Sequence, residues 1–562
     1  MRSLLNSASL RARALVLTLA PLVLACVEPE DEPEQTTGDE ELATARFVVE
    51  PRLTIGARKA APLVGAIEFE TERPTHLRVE LDDGARRWVV DFAGAETAHK
   101  HPLLGLRPDR QHRVTLALED EAGAPLAWPE GAAGPVLVGV TAPLPDDFPA
   151  LTVQLAQPER MEPGYTLFNV PVPRKLGGGG YIVGLDARGE LVWFHHSSWR
   201  VEDSQRLPNG NTFVLLSGFY KAYELDVYGE IVASWHAANI AGAEDTGVPV
   251  ATDTFHHEIT ATADDTFMAL SSELRTVVGF PRPSDLMPTQ FPSELVGTVV
   301  VEFARDGAIL GEWSLLDMLD PLRVTHGTYA GNFFDSVYPA SSFPIDWDHS
   351  NAVFVDPADD GIVVSLRHQD AVVKFDRAGA LQWILAPPEN WSAEFEPYLL
   401  TPAEPDFRYP FQQHAPMITP QGTLLLFDNA LYQTSPPTPP LEDTVSRAVE
   451  LELDLEAMTV RQVWQYGEGG ELGNAPWVGD ADWLPATGNI LVAAAGIKVE
   501  QEGEPSIRIL ELTHQQPAER VFEVSVDDDN PSGLANRMGN EAERIPDLYP
   551  AWAGASVAWI EP

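Results

Sequence analysis

The sequence predicts an all-β protein, a six-bladed β-propeller preceded by a small N-terminal β-sandwich. Three observations support this: a hairpin pattern that occurs six times, a second turn-and-strand motif between the copies, and a run of short alternating strands ahead of them. The chain is long enough for more than one domain and for large hydrophobic cores.

Short alternating segments fill the N-terminal region from about Phe47 to about Thr152, and Pro, Gly and Asp separate them. Strands this short, at this spacing and without helical periodicity, are typical of an antiparallel sandwich. We therefore predict an Ig-like β-sandwich over residues 46–152. It shows no constellation of catalytic residue types, which favours a role as a spacer or dimerisation module.

The rest of the chain repeats a hairpin with an Asp- or Gly-containing turn and a second strand that usually ends in Trp. Such turns need residues that accept positive φ. The copies are YIVGLDARGELVWF, AYELDVYGEIVASW, VVVEFARDGAILGEW, AVVKFDRAGALQWI, AVELELDLEAMTVRQVW and IRILELTHQQPAERVF.

Between the copies lies a second motif, in which a Gly or Asn turn precedes an apolar strand, as in LPNGNTFVLL and TPQGTLLLFD. Two hairpins per unit make the four strands of a propeller blade. Residues 153–562 are therefore predicted to form the propeller, with seven blades as the alternative count. A large sandwich or a β-helix would also repeat hairpins, but the repeated Trp and turn residues favour the propeller.

The N-terminus has the composition of an export signal. Basic residues precede an apolar run, 14–25, that is too short to span a bilayer as a helix. The run ends in VLAC, which resembles a bacterial lipobox, so residues 1–25 are predicted to be a lipoprotein signal peptide and Cys26 the lipidated residue. An ordinary secretory signal is the alternative.

Residues 26–45 are rich in acidic residues and proline, and we predict that they form a disordered tether. The protein is expected to be exported and lipid-anchored in the bacterial cell envelope, facing the periplasm or the outer-membrane surface. The lipid at Cys26 would be its only contact with a membrane.

The formal net charge of −47 argues against nucleic acid and anionic membrane surfaces as partners, because both require a basic footprint. Cys26 is the only cysteine, which excludes disulfides within the chain, zinc–thiolate sites and a cysteine nucleophile. Arginine, which binds oxyanions better than lysine does, supplies most of the positive charge.

Candidate site residues precede the second motif, where inner strands meet the central channel. His257 and His414 each lie eight residues before the turn of that motif. His349 lies near the same point of the blade between them, and Arg367 lies on the strand that follows. Neighbours on a strand point to opposite faces, so we expect only one of His256 and His257 to enter the channel, and the register favours His257.

Two kinds of chemistry could use such a cluster. Three neutral imidazoles are a common zinc or copper ligand set, which would make the protein a metal-dependent hydrolase or lyase. An arginine beside a cation opposes this, and no ligating carboxylate or HExxH motif is evident. Alternatively, arginine and protonated histidine stabilise the charge on sulfuryl or phosphoryl oxygens while a neutral histidine attacks the central atom. A non-catalytic surface propeller for binding or adhesion is a third hypothesis.

At these residues the chain resembles the bacterial arylsulfotransferases that use aryl sulfates rather than a nucleotide sulfate donor. The resemblance covers the chain from about Phe47 onward and is clearest after Tyr165. The segments that carry it are FHHEI at 255–259, DWDHSN at 346–351, SLRHQ around Arg367, FQQHAP at 411–416 and RIPDLYP near the C-terminus.

The resemblance implies a role for each site residue. His414 would be the nucleophile that becomes sulfated, while His257, His349 and Arg367 bind the sulfuryl oxygens and manage protons. The implied reaction is ping-pong transfer of a sulfuryl group from a phenolic sulfate ester to a phenolic acceptor through a sulfohistidine. Either His349 or His257 would be the general acid and base.

The remaining expectations concern the surroundings of these residues. Asn351 and His256 are expected to bind substrate, and insertions at 274–294 and 315–342 to line the mouth of the site. Neither a metal nor another cofactor is expected. The expected partners are small phenolic donors and acceptors, and a homodimer is left open.

Overall fold

The computed structural model describes most of residues 42–560. The gaps within this range are residues 133, 174–177, 219, 241–246, 283–284, 330, 332, 342, 442–444, 499–503 and 528–540. The predicted signal peptide, the lipidation site Cys26 and most of the tether lie outside the described residues, so these calls stay predictions. In the described part of the chain, no helix has both the length and the apolar character needed to cross a bilayer.

Six strands come first in the N-terminal region. They are β1 (Phe47–Ile55), β2 (Gly65–Asp82), β3 (Arg87–Phe92), β4 (Glu96–Leu103), β5 (Gln111–Glu119) and β6 (Val136–Val140). The long β2 pairs with β1 and β4 through its first half and with β3 and β5 through its second half. Its residues alternate between buried and more exposed, as in a sheet with one face on a core. The Ig-like sandwich arrangement of this region stays a prediction.

The remaining strands follow in chain order. They are β7 (Leu151–Ala156), β8 (Tyr165–Pro171), β9 (Gly180–Leu185), β10 (Leu191–Ser197), β11 (Val201–Arg206), β12 (Thr212–Leu216), β13 (Lys221–Leu225), β14 (Ile231–Ala237), β15 (Val248–Val250), β16 (His256–Ala261), β17 (Phe267–Val277), β18 (Ser293–Phe303), β19 (Ile309–Ser314), β20 (Ile345–Asp346), β21 (Ser350–Val355), β22 (Ile362–Leu366), β23 (Ala371–Phe375), β24 (Leu381–Leu385), β25 (Thr401–Pro402), β26 (His414–Ile418), β27 (Leu424–Asp428), β28 (Arg447–Asp454), β29 (Thr459–Tyr466), β30 (Asp480–Trp483), β31 (Ile490–Ala495), β32 (Pro505–Leu512), β33 (Arg520–Asp527), β34 (Ala542–Ile545) and β35 (Ala555–Ile560).

Helical structure is sparse among the described residues. It comprises the four-residue α1 (Leu315–Met318) and short 3₁₀ turns. The 3₁₀ turns are at Pro158–Arg160, Gly327–Tyr329, Arg367–Gln369, Glu396–Tyr398 and Ala551–Ala553.

Strands β7–β34 form six sheets, which confirms the predicted six-bladed propeller. The blades are β8–β10 with β34, β11–β15, β16–β20, β21–β24, β25–β29, and β30–β33 with β7. All six predicted hairpins occur, each as two neighbouring strands of one blade. The first strands of successive blades contact one another, as β11 does with β16 and β21 with β26. These strands therefore surround the central channel.

The recurring tryptophans join one blade to the next. The indole N–H groups of three of them each donate to a carbonyl in the hairpin turn of the following blade, at 2.9–3.2 Å. The donor–acceptor pairs are Trp193 with Val227, Trp235 with Arg305, and Trp313 with Arg377. A buried indole usually has a partner for its N–H, so at these three positions the repeat of Trp in the sequence reflects a repeat of the blade interface.

Both ends of the propeller segment close the ring. β7 pairs with β33 in the last blade, and β34 pairs with β8 in the first. β35 then pairs with β3 of the N-terminal region. Strand pairing therefore joins the two regions that were predicted as separate domains, 46–152 and 153–562. In this pairing, β35 covers an edge of the N-terminal sheet that would otherwise be unpaired.

Candidate active site

The four predicted catalytic residues lie together at one end of the channel. His257 and His414 are at the starts of β16 and β26, and His349 immediately precedes β21. The ring centroids of His257 and His349 are 4.8 Å apart. In addition to burial, Arg367 and His349 lower the pKa of His414. The same two residues and His414 lower the pKa of His257, which is also buried. The structure therefore brings residues from three blades into one electrostatically coupled cluster.

The orientation of His414 is set by Asn429, which follows β27. Asn429 donates its amide N–H groups to the carbonyls of Ala475 (2.6 Å) and Val478 (3.0 Å). Its Oδ1 therefore faces His414 and accepts from Nδ1–H at 2.6 Å. Burial, followed by the charge of Arg367, lowers the pKa of His414 to about 3. His414 is thus neutral, with the lone pair on Nε2.

His257 is oriented by its neighbour His256, which is fully buried. His256 Nε2 lies 3.2 Å from the carbonyl of Ser271, which can only accept, so Nε2 carries a proton. A neutral His256 then accepts at Nδ1 from His257 Nδ1–H, at 2.9 Å. Burial is the main cause that lowers the pKa of His257 well below its usual value. His257 therefore also has its lone pair on Nε2.

These contacts correct the expectation that His256 and His257 point to opposite faces. A register shift lies between His256 and Ile259, and His257 has φ 57°. Such a bulge interrupts the alternation of a strand, so the two rings meet on one side. Both nitrogens of His256 contact protein groups, and one of these contacts orients His257; the substrate-binding role of His256 stays a prediction.

His349 is paired with a carboxylate. Its Nδ1–H donates to Asp346 Oδ2 at 2.5 Å, and its ring stacks on His368 with centroids 4.4 Å apart. Burial lowers the pKa of His349 well below its usual value, and Arg367 adds to this effect. Burial also raises the pKa of Asp346, against the opposing charges of His368, His256 and Arg367. Burial therefore favours a neutral His349.

Arg367 is held from two sides. One guanidinium nitrogen donates to His368 Nε2 (3.0 Å) and another to the carbonyl of Pro476 (3.1 Å). Its Nε is buried and has no hydrogen-bond partner, so a donor is available there. Arg367 is the first residue of a 3₁₀ turn, not part of β22 as expected, since the strand ends at Leu366.

A carboxylate does accompany the histidines, contrary to the sequence argument. Ligand atoms of Asp346, His349 and His368 lie within 4.8 Å of one another, as in a metal site. However, His368 Nδ1 donates to the Asp346 carbonyl (2.9 Å), while its Nε2 accepts from Arg367. Both nitrogens are therefore engaged, and the contacts fit a hydrogen-bonded anion site better than a metal centre.

The sequence model of the arylsulfotransferase (ASST) family matches residues 152–535. The chain belongs to the arylsulfotransferase family. Two curated relatives are each 26% identical: the arylsulfate sulfotransferase AssT of Escherichia coli O6:H1, over 274 residues, and that of Lelliottia amnigena, over 275 residues. Each alignment covers 42% of this chain and 45% of the relative, so the chain matches less than half the length of either.

A solved structure, a protein of unknown function from Bacteroides caccae, is similar with a TM-score of 0.36 and 12% identity. The alignment covers 67% of this chain and 99% of that one. At this level the similarity adds nothing to the assignment.

Several residues of the candidate site were not predicted from the sequence. Asp346 and His368 lie inside the motifs DWDHSN and SLRHQ, so a search for carboxylates and second histidines near His349 and Arg367 would have found them. No local sequence pattern predicts a role for Asn429, because that role depends on contacts between segments that are distant in the sequence.

The predicted residue Asn351 and the insertion at 315–342 both reach the site. Asn351 donates to the carbonyl of Gln413 at 2.8 Å and so ties β21 to the residue before His414. The insertion brings Phe333 against two histidines, with ring centroids 4.9 Å from His257 and 4.8 Å from His349. An aromatic wall next to the histidines suits a flat aryl group.

A cavity of about 240 Å³ continues the channel beyond the histidines. Its carboxyl groups are those of Asp203, Glu258, Asp480, Asp482, Glu541 and Glu543. Burial raises the pKa of Asp480 and Glu543 to about 7, and raises those of the Asp482 and Glu541 carboxyls well above their usual values. These acids therefore bind protons more tightly in the folded than in the unfolded protein.

We predict that the protein loses thermal stability as the pH rises from 5 to 8 in EDTA. An acid whose pKa is raised by folding stabilises the protein below its unfolded pKa, and this contribution disappears as the pH passes the folded value, which is about 7 for Asp480 and Glu543. Asp482→Asn is expected to raise Tm at pH 8 by several degrees and to reduce the pH dependence, as measured by calorimetry. The exposed Asp264→Asn is the control; an Asp482→Asn variant that melts like wild type at pH 8 would contradict the prediction.

Proposed function

We propose that the protein transfers a sulfuryl group from a phenolic sulfate ester to a phenolic acceptor through a sulfohistidine at His414. The observation that carries this proposal is the hydrogen bond from His414 to Asn429, which leaves Nε2 unprotonated beside the Arg367 cation. A nucleophile must present a lone pair. A weakly basic nitrogen is also a good leaving group, as the second step requires. Membership of the arylsulfotransferase family supports the same reaction class.

In the first half-reaction, His414 Nε2 attacks sulfur as the bond from sulfur to the aryl oxygen breaks. The phenolate leaves, and the sulfuryl group is held on His414. Arg367, whose Nε has no partner in the protein, is placed to bind sulfuryl oxygens through a charge-assisted hydrogen bond. Phe333 offers its ring to the aryl group.

In the second half-reaction, an acceptor phenol attacks the sulfur and the bond to His414 breaks, which restores the neutral imidazole. The phenolic proton passes to Nε2 of His349. His349 then releases this proton to solvent, and the phenolate that left in the first half-reaction takes up a proton from solvent, so protons balance over each cycle.

His349 suits this role better than His257 because of the group behind each ring. Asp346 accepts from His349 Nδ1 and stabilises its imidazolium, whereas His257 faces a neutral imidazole. A carboxylate behind a histidine acts in the same way in catalytic triads.

The deciding experiment is an assay of the purified protein with 4-nitrophenyl sulfate, with and without phenol. We expect a burst of nitrophenol equivalent to the enzyme concentration, followed by steady release only when phenol is present, and formation of phenyl sulfate. Pretreatment with EDTA should leave the rate unchanged. No release with any phenolic acceptor would refute the proposal, and release that depends on a metal would favour a metal-dependent hydrolase instead.

A further inference from the structure

A second group of histidines lies outside the propeller, on β4 of the N-terminal region. His99 and His101 are two residues apart and are both buried, with 3% and 7% of their surfaces exposed. Each ring stacks on a phenylalanine, Phe69 for His99 and Phe92 for His101, with centroids 4.1 Å apart in both pairs. The rings are therefore fixed by packing on one face of the sheet.

The nitrogens of this pair that face Glu96, His99 Nδ1 and His101 Nε2, are both buried. Glu96 Oε1 lies 3.7 Å from the first and 2.7 Å from the second. The three groups offer ligand atoms within 4.8 Å of one another.

Glu96 reaches this face because the pairing of β4 with β2 is irregular. In a regular strand, a residue three positions before His99 points to the opposite face. A register shift separates the pair of Glu96 with Thr75 from the pair of Ala98 with Glu70. The shift turns the carboxylate toward the two imidazoles, while its outer side stays accessible to solvent.

A chain of hydroxyl groups contacts the other side of the His99 ring. Thr71 donates to the carbonyl of Arg73 at 2.7 Å, so its oxygen can accept from the Thr75 hydroxyl, 3.5 Å away. The Thr75 oxygen lies 2.9 Å from His99 Nε2. When it accepts from Nε2–H, the lone pair of His99 is on Nδ1, toward Glu96, and this is the tautomer that can bind a metal ion there. Hydrogen bonds of this kind orient histidines that ligate metals.

We propose that Glu96, His99 and His101 form a site for a divalent transition metal ion, best suited to Zn²⁺. Two imidazole nitrogens and one carboxylate oxygen are a set that Zn²⁺ binds, whereas Ca²⁺ and Mg²⁺ prefer oxygen ligands. Tetrahedral bonds of about 2 Å require ligand atoms about 3.3 Å apart, and the two distances to Glu96 lie on either side of that value. Water would complete the shell on the exposed side. The site is built without any residue of the channel.

The test uses the full chain, stripped with a chelator and titrated with ZnCl₂ in a calorimeter. We expect one tight site per chain and a rise in Tm with Zn²⁺. Glu96→Gln, at an accessible position where folding should be unaffected, is expected to weaken binding at least about 10-fold and to remove the Tm shift. Thr75→Val is expected to weaken it about 10- to 100-fold through the loss of His99 orientation. His76→Ala, in the same sheet, is the matched control and should bind like wild type.

Three results would overturn the site. One is the absence of saturable Zn²⁺ binding to the wild type. Another is tight Zn²⁺ binding by both the Glu96→Gln variant and the His101→Gln variant, provided that each variant without metal melts at the same temperature as the wild type. The third is binding that is lost in His368→Gln but kept in Glu96→Gln, which would assign the metal to the channel.

Discussion

His414→Ala is expected to lower the rate of sulfuryl transfer from 4-nitrophenyl sulfate to phenol by at least about 10⁴-fold. The variant loses the one nitrogen whose lone pair is fixed by Asn429 and placed beside Arg367. Binding of the donor should change little, because Arg367 and Phe333 remain. The rate is measured by nitrophenol release, and intact-protein mass after rapid quenching shows whether the enzyme gains one sulfuryl group.

Two further measurements separate a nucleophile from a merely structural residue. The sulfuryl-enzyme formed by wild type without acceptor should be absent in His414→Ala, and added imidazole should restore part of the nitrophenol release but not the sulfated protein. His76→Ala should retain full activity. A sulfated His414→Ala protein would assign the nucleophile to another residue.

Asp346→Asn is expected to lower the rate with phenol by about 10³-fold or more. The amide can donate to His349 Nδ1, which would move the ring proton to Nε2 and leave no site for the acceptor's proton. It also removes the charge that stabilises the imidazolium. The first half-reaction with 4-nitrophenyl sulfate has a weakly basic leaving group, so the burst should persist while turnover stops.

The matched control is Asp348→Asn, two residues along the same loop. Asp348 accepts from the backbone N–H and hydroxyl of Thr298, at 2.9 and 3.0 Å, and an asparagine can keep both contacts. The Asp348→Asn variant should therefore transfer the sulfuryl group at the wild-type rate. If Asp346→Asn lost burst and turnover to the same extent, the carboxylate would be acting on the fold or on both steps, and His349 would not be the base.

Much of the site could be predicted from the sequence because its residues fall at fixed positions within a repeated unit. The step of eight residues before a turn leads to His257 and His414, which the structure brings into one cluster. The same reasoning failed for His256, because a bulge and a positive φ at His257 override strand alternation. The bulge lies in the pairing of β16 with β17, and the local sequence pattern does not predict it.

The sequence by itself determined the blades, since alternation, turn residues and the terminal tryptophans act within one hairpin or between adjacent ones. Only the tertiary structure decided which strands close the ring, that β35 joins the N-terminal sheet, and which nitrogen of each histidine carries the proton. The physical reason is the range of the interactions. Hairpins form between residues close in the chain, whereas the hydrogen bonds that hold Asn429 and the pairing of β35 join segments far apart, and they exist only once the ring has closed.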